Sequence, residues 1–156
     1  IQMKFRAIIA LIMCGFLAAC AAREPSMTPL EIQSMQTRQF DASYNTTFSS
    51  VMSVFQDIGY TVEAASKETG LITGQSATDS NVAFQIFTGS TLNTQTAATA
   101  FIEKLKGKTS VRLNFVQKSK TSSGWGQTNN QDTPITDVTI YQNAFERIES
   151  AIFLRQ

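Results

Sequence analysis

Residues 44–75 read YNTTFSSVMSVFQDIGYTVEAASKETGLITGQ, and this stretch decides the fold. Large apolar side chains recur every three or four residues through its first half, at Tyr44, Phe48, Val51, Phe55 and Ile58. This spacing places them on one face of a helix, which Asp41 or Ser43 can cap and Gly59 can end. We therefore predict an amphipathic helix over residues 43–58 that packs on a sheet.

Short stretches rich in β-branched and aromatic residues predict the strands around this helix. Tyr60–Ala64 and Leu71–Gln75 read as two strands joined by a turn that ends at Gly70. Met35–Asp41 predicts a short strand before the helix. Ala97–Leu105 and Thr109–Lys118 flank a Lys-Gly-Lys turn and predict a second hairpin.

Two segments leave alternatives open. Ala97, Phe101 and Leu105 lie four residues apart, so the first arm of the second hairpin can also be helical. Within residues 76–95, the run VAFQIF at 82–87 fits either an edge strand or a loop that packs its aromatic side chains inward.

The end of the domain is predicted to be a polar loop followed by a helix. Residues 119–134 are polar and contain one tryptophan, Trp125, which lies between two glycines. Asp137 can cap the final helix, which carries an apolar stripe of Val138, Tyr141, Phe145, Ile148 and Ile152. The elements follow the order β-α-β-β-β-β-α. They predict one α+β domain over residues 35–156, with a mainly antiparallel sheet of about five strands and two helices on one face.

The N-terminal segment has the features of an export signal. Lys4 and Arg6 precede an apolar run of fourteen residues, Ala7–Cys20. As a helix this run spans about 21 Å, short of the roughly 30 Å of a bilayer core. A short membrane anchor and a signal cut elsewhere remain as alternatives.

Leu17, Ala18, Ala19 and Cys20 resemble the recognition sequence of bacterial lipoprotein signals. The resemblance implies that residues 1–19 are a signal peptide and that the Cys20 thiol receives a diacylglycerol. Residues 20–34 then form the lipidated end and a flexible tether. Ala21 stands where inner-membrane lipoproteins tend to carry Asp, so the resemblance implies an outer-membrane protein with its domain in the periplasm.

Five further stretches resemble a widespread group of small bacterial lipoproteins that have no assigned activity. They are residues 35–38, 56–62, 70–74, 111–116 and 141–154. The resemblance implies a single βαββ…α domain, and it supplies no catalytic residues.

Composition excludes several function classes. Removal of residues 1–19 takes two of the 13 basic residues and none of the 12 acidic ones, so the remaining chain has no basic excess to bind nucleic acid. The chain has no histidine, and Cys20 is its only cysteine after Cys14. We therefore expect no metal, no cofactor beyond the lipid on Cys20, and no catalytic residues.

The sequence thus predicts a non-enzymatic binding or scaffolding lipoprotein of the cell envelope. Trp125 is the candidate contact with a protein partner, although it can also fold back onto the sheet. The alternatives are an accessory subunit of a trans-envelope secretion or efflux complex and, with less support, a cell-wall hydrolase that uses two carboxylates.

Overall fold

The computed structural model describes residues 27–80 and 90–156, which form an α+β domain. The described helices are α1 (Pro29–Gln36), α2 (Tyr44–Asp57) and α3 (Val138–Phe153). The described strands are β1 (Thr37–Phe40), β2 (Tyr60–Ser66), β3 (Leu71–Ser76), β4 (Asp79–Ser80), β5 (Ser90–Leu105), β6 (Lys108–Ser123) and β7 (Thr128–Pro134). The predicted fold class is confirmed, with more strands and one more helix than the sequence indicated.

The described strands belong to one antiparallel sheet. Its main path runs β1-β6-β5-β3-β2, while β4 pairs with β5 and β7 pairs with β6. Strands β5 and β6 form a hairpin of two 16-residue strands, which confirms the strand alternative for Ala97–Leu105. One half of this hairpin lies between β1 and β3, and the other half lies between β4 and β7.

We name the two parts of the sheet by these neighbours. The body comprises β1, β2, β3, residues 97–105 of β5, residues 108–116 of β6, and the helices. The wing comprises β4, β7, residues 90–96 of β5 and residues 117–123 of β6.

The hydrophobic core lies between α2, α3 and one face of the body. The buried strand residues that face the helices include Ala98, Ala100 and Ile102 of β5 and Val111, Leu113 and Phe115 of β6. They alternate along each strand, as a sheet with one covered face requires. Aromatic rings pack against one another between the sheet and the helices. The ring centroid of Phe115 lies 6.5 Å from that of Phe55 in α2 and 5.2 Å from that of Tyr141 in α3.

The caps of α2 agree with the prediction, but its buried face is wider than the predicted apolar stripe. The Ser43 hydroxyl accepts a hydrogen bond from Thr46 N–H, and Gly59 has a φ of 90° just after the helix. Thr47 and Ser50, which are not part of the predicted apolar stripe, are both fully buried. The buried face of α2 is therefore wider than the predicted apolar stripe and includes two small polar side chains.

The first helix, α1, begins inside the segment predicted to be a tether. The Thr28 N–H donates to the Glu31 carboxylate at 2.7 Å, and the Thr28 hydroxyl accepts from Glu31 N–H. The Thr28 N–H and the Thr28 hydroxyl both donate to this carboxylate, and these two bonds hold the pKa of Glu31 below its usual value. The reciprocal bonds between Thr28 and Glu31 form a capping box, with Pro29 in the first turn. Residues 29–34 are therefore helical, and the first strand starts at Thr37 instead of Met35.

A tyrosine from α3 completes the sheet edge where body and wing meet. Along the outer edge of β6, β1 pairs as far as Arg112 and β7 begins to pair at Val116. Between them the buried Tyr141 hydroxyl accepts from Phe115 N–H at 3.3 Å and donates to the Ile135 carbonyl at 2.9 Å. The Ile135 N–H donates to the Phe115 carbonyl. The hydroxyl thus bridges Phe115 N–H and the Ile135 carbonyl, which would otherwise bond directly in the sheet, and it connects α3 to the junction of body and wing.

Candidate functional site

The wing is a strongly polar part of the sheet. Its β6 and β7 segments read QKSKTSS and TNNQDTP, and Leu92 is its one large apolar side chain. None of its described residues is buried. A sheet without a hydrophobic face gains little stability from burial. The wing therefore adds mainly exposed surface to the molecule, which makes it the first candidate for contact with a ligand or partner.

Twelve of the fourteen wing residues on β6 and β7 fall in the segment that we predicted to be a loop, and the other two, Gln117 and Lys118, lie in the predicted strand Thr109–Lys118. The structure corrects that prediction, because β6 continues to Ser123 and β7 runs from Thr128 to Pro134. The polar sequence lacks the apolar alternation that marks a half-buried strand. Pairing with β6 determines the strand here, since every residue from Thr128 to Pro134 has a partner on β6.

A groove of about 450 Å³ lies on the wing face that points away from the helices. Its side chains stand in two cross-strand rows, Gln95–Lys118–Asp132 and Asn93–Lys120–Asn130. The rows combine two ammonium groups, one carboxylate and three primary amides. Such a surface can donate and accept hydrogen bonds with a polar ligand or with another polar strand.

Most of these groups are free to make such contacts. Asn93 accepts a hydrogen bond from the Ser80 hydroxyl, and Gln95 donates to the Ser76 carbonyl at 2.9 Å. Among the described residues, no hydrogen bond or ion pair engages the side chains of Lys118, Lys120 and their neighbours on β7. The β6–β7 half of the groove is therefore its open, unsatisfied half.

The wing does not provide the facing carboxylates that the hydrolase alternative requires. Asp79 pairs with Thr94, on the side of the sheet that carries the helices, whereas Asp132 pairs with Lys118 on the opposite side. Two acids on opposite faces of one sheet cannot flank a single glycosidic bond. Within residues 27–80 and 90–156, no group of three potential metal ligands is found either.

Trp125 lies at the tip of the wing, in the turn between β6 and β7. Gly126 N–H donates to the Ser123 carbonyl, Ser123 N–H donates to the Gln127 carbonyl, and Gly126 has a φ of 79°. These bonds define a three-residue hairpin loop with a left-handed glycine. Trp125 is 95% exposed. The alternative in which it folds back onto the sheet is therefore wrong, and its role as a partner contact stays a prediction.

The remaining predicted site residues belong to the N-terminal segment. Leu17, Ala18, Ala19 and Cys20 fall outside the described residues, as does the possible edge strand at 82–87. In the part of the chain that the structure describes, no helix is long and apolar enough to cross a membrane. The structure thus leaves the lipid anchor as a prediction.

The groove was not found from the sequence. Its residues come from three strands, and only the register brings Gln95, Lys118 and Asp132 into one row. The alternation of Lys118 and Lys120 within the Ser- and Thr-rich run was the one local signal that two cations share a face. No protein-family model matches the chain, and no curated protein matches it significantly, so the chemistry of the wing has to be argued from its own residues.

Proposed function

We propose that the chain is a lipid-anchored lipoprotein of the outer membrane, whose domain faces the periplasm and has a non-enzymatic binding or scaffolding role. The lipid is attached at Cys20, after the sequence Leu17-Ala18-Ala19. Between Cys20 and α1 only eight residues remain, so an extended connection reaches at most about 30 Å. The domain is then held close to the membrane surface, where a protein partner of the envelope can meet the wing.

The single observation that carries the binding role is the wing with Trp125 at its tip. Seven residues of β5 extend past the body, which corresponds to about 23 Å of strand. An almost fully exposed tryptophan at the end of such an extension is costly in water and typical of a binding hot spot. The surrounding Ser, Thr, Asn and Gln side chains keep the surface soluble while it is free.

The lipid anchor is tested by replacing Cys20 with alanine. The variant should lose all incorporation of radioactive palmitate and should accumulate as an uncleaved precursor, because no thiol remains to be acylated. Cys14→Ala is the matched control, since Cys14 lies in the apolar run and should be removed with the signal. Label that persists in Cys20→Ala, or that disappears in Cys14→Ala alone, would show that the signal has been misassigned.

The docking role is tested with a photo-crosslinking amino acid placed at position 125. Illumination of intact cells should give a discrete adduct between the chain and its partner, because this position lies at the exposed tip that we propose contacts the partner. The matched control is position 106, an exposed site in the turn at the other end of the β5–β6 hairpin. The two ends are about 50 Å apart. Equal adducts at both positions, or none at 125, would contradict docking through the wing.

A further inference from the structure

Strand β7 has an outer edge that no described element covers. It pairs with β6 on one side, and all seven of its residues are exposed. Strand β4 forms the opposite edge of the wing, because the strand order there is β4-β5-β6-β7. An uncovered edge presents a row of unpaired N–H and C=O groups to a further strand.

The hydrogen bonds at both ends of β7 show which backbone groups point outward. Ser123 pairs by a hydrogen bond with Gln127, and Phe115 with Ile135. In an antiparallel ladder the hydrogen-bonded pairs alternate, so odd-numbered residues of β7 bond to β6 and even-numbered ones face outward. The N–H groups of Thr128, Asn130 and Asp132 are therefore directed to the free side, and so are the carbonyls of these residues and of Pro134.

The other sheet edges are shorter or interrupted. The outermost strand of the body, β2, has a register shift between Val62 and Ala64 that leaves Glu63 as an extra residue. Such a bulge and a charged side chain are common means of blocking edge pairing. Strand β4 has two residues and β1 has four. Strand β7 is seven residues long and continuous, so it is the edge best suited to accept a strand.

We propose that the partner of this edge is the β7 edge of a second copy of the chain, paired antiparallel about a two-fold axis at Gln131. This inference rests on the proposed docking role of the wing and names its partner. In this register Asn130 faces Asp132 of the second copy, and Thr128 faces Pro134. About six backbone hydrogen bonds form, since each Pro134 lacks an N–H. The two wings then become one continuous sheet.

The side chains on the groove face are complementary in this arrangement. The cross-strand row that starts at Lys118 and Asp132 continues into Asn130 and Lys120 of the second copy. Each carboxylate therefore lies between an ammonium group of its own chain and an amide of the other chain. No acid faces an acid and no lysine faces a lysine across the axis, so the charges favour the antiparallel pair.

The same register accounts for the exposure of Trp125. The tip of one wing then lies near the start of α3 of the second copy, because only three residues separate Pro134 from Val138. Val138 and Ile140 in that turn are 41% and 40% exposed, although the apolar stripe of the sequence included Val138 as a core residue. The indole therefore meets apolar side chains at each end of the paired edges. These contacts supply the apolar burial that a purely polar edge lacks.

A strand edge of seven residues makes a small interface, and we therefore expect a weak dimer in solution. Anchoring at a common membrane surface raises the effective concentration of the two copies. The dimer should accordingly be populated in cells and should dissociate on dilution of the purified protein.

Single cysteines on β7 test the pairing and its register. In antiparallel pairs without hydrogen bonds the Cα atoms are about 4.5 Å apart, which a disulfide can bridge. The two copies of Gln131 form such a pair across the two-fold axis. Gln131→Cys should therefore give disulfide-linked dimers when whole cells are oxidised with copper phenanthroline. Asn129→Cys and Thr133→Cys should each stay at the background of the parent chain. When Asn129→Cys and Thr133→Cys are coexpressed on two differently tagged chains, they should crosslink to each other, because these two positions face each other in the proposed register.

Asn130→Pro, introduced together with Gln131→Cys, provides the second measurement. Proline at 130 removes an outward N–H and leaves the ladder to β6 intact, so the domain should keep its melting temperature while the dimer is lost. No dimer from Gln131→Cys above the Asn129→Cys level, or a dimer that survives Asn130→Pro, overturns the inference. If position 125 still crosslinks to a different protein in that case, the docking role stands and only the second copy is excluded.

Discussion

Replacing Phe145 with alanine should lower the free energy of unfolding by about 3–5 kcal/mol, the cost of emptying a buried aromatic site. Phe145 is 2% exposed, and its ring lies 6.3 Å from that of Phe40 on β1. The Arg38 guanidinium covers the same ring at 4.9 Å. The substitution therefore removes the contact that holds α3 against the first strand. Phe48→Ala in α2 should have a similar effect, because that side chain is equally buried.

Urea unfolding followed by circular dichroism measures this loss, and α3 itself offers the control. Phe153 stands on the same helix and is 77% exposed. Phe153→Ala should change stability by less than about 0.5 kcal/mol, as surface substitutions usually do. Against a total stability of about 5–15 kcal/mol, either core variant leaves a marginal fold. Equal midpoints for Phe145→Ala and Phe153→Ala would mean that the other face of α3 is the buried one.

The body of the domain was predictable because its periodicities are local. The three-four spacing of Phe48, Val51 and Phe55 defines a helix face without reference to any other part of the chain. The alternation of Val111, Leu113 and Phe115 likewise defines a half-buried strand. The caps at Ser43 and Asp137 are short-range hydrogen bonds, and the sequence indicated Asp137 directly and Ser43 as one of two candidates. The helix ends therefore agree with the prediction to within a residue or two.

The wing was not predictable in the same way. Residues 117–123 and 128–134 become strands because they pair with each other, and neither segment carries an apolar pattern of its own. Beta structure depends more on neighbours than on intrinsic preference. The loop predicted around Trp125 is confirmed only at residues 124–127, and nothing in the polar run indicates that long strands flank it. For α1, the sequence Thr28-Pro29-Leu30-Glu31 was a readable capping box that we interpreted as tether.

The candidate site shows the same division between local and distant information. Trp125 was singled out because a tryptophan between two glycines is unusual in itself. The groove beside β7 depends on residues from three strands. The outward direction of the backbone N–H groups of Asn130 and Asp132 depends on which residues of β7 form the hydrogen-bonded pairs with β6. The hydrogen bonds between Ser123 and Gln127 and between Ile135 and Phe115 determine this alternation. Only the folded chain carries this information.

Gly70→Ala should destabilise the domain by at least about 3 kcal/mol, because two separate effects coincide at this position. Gly70 has a φ of 74°, where a side chain strains the backbone. A Cβ there would also overlap the carbonyl oxygen of Ile102, whose N–H donates to the Gly70 carbonyl at 2.8 Å. The β2–β3 turn is thus packed directly on β5 with no room for a methyl group.

Gly59→Ala separates strain from packing in this prediction. Gly59 has a φ of 90°, and nothing lies within 4 Å of where its Cβ would be. The strain alone should cost about 1–2 kcal/mol. The difference between the two variants in chemical denaturation therefore measures how closely the turn approaches β5. If both variants lose the same free energy, the turn at Gly70 does not touch Ile102. The antiparallel pairing of β3 with β5, which begins at Leu71 and Phe101, would then have to start farther along the strands.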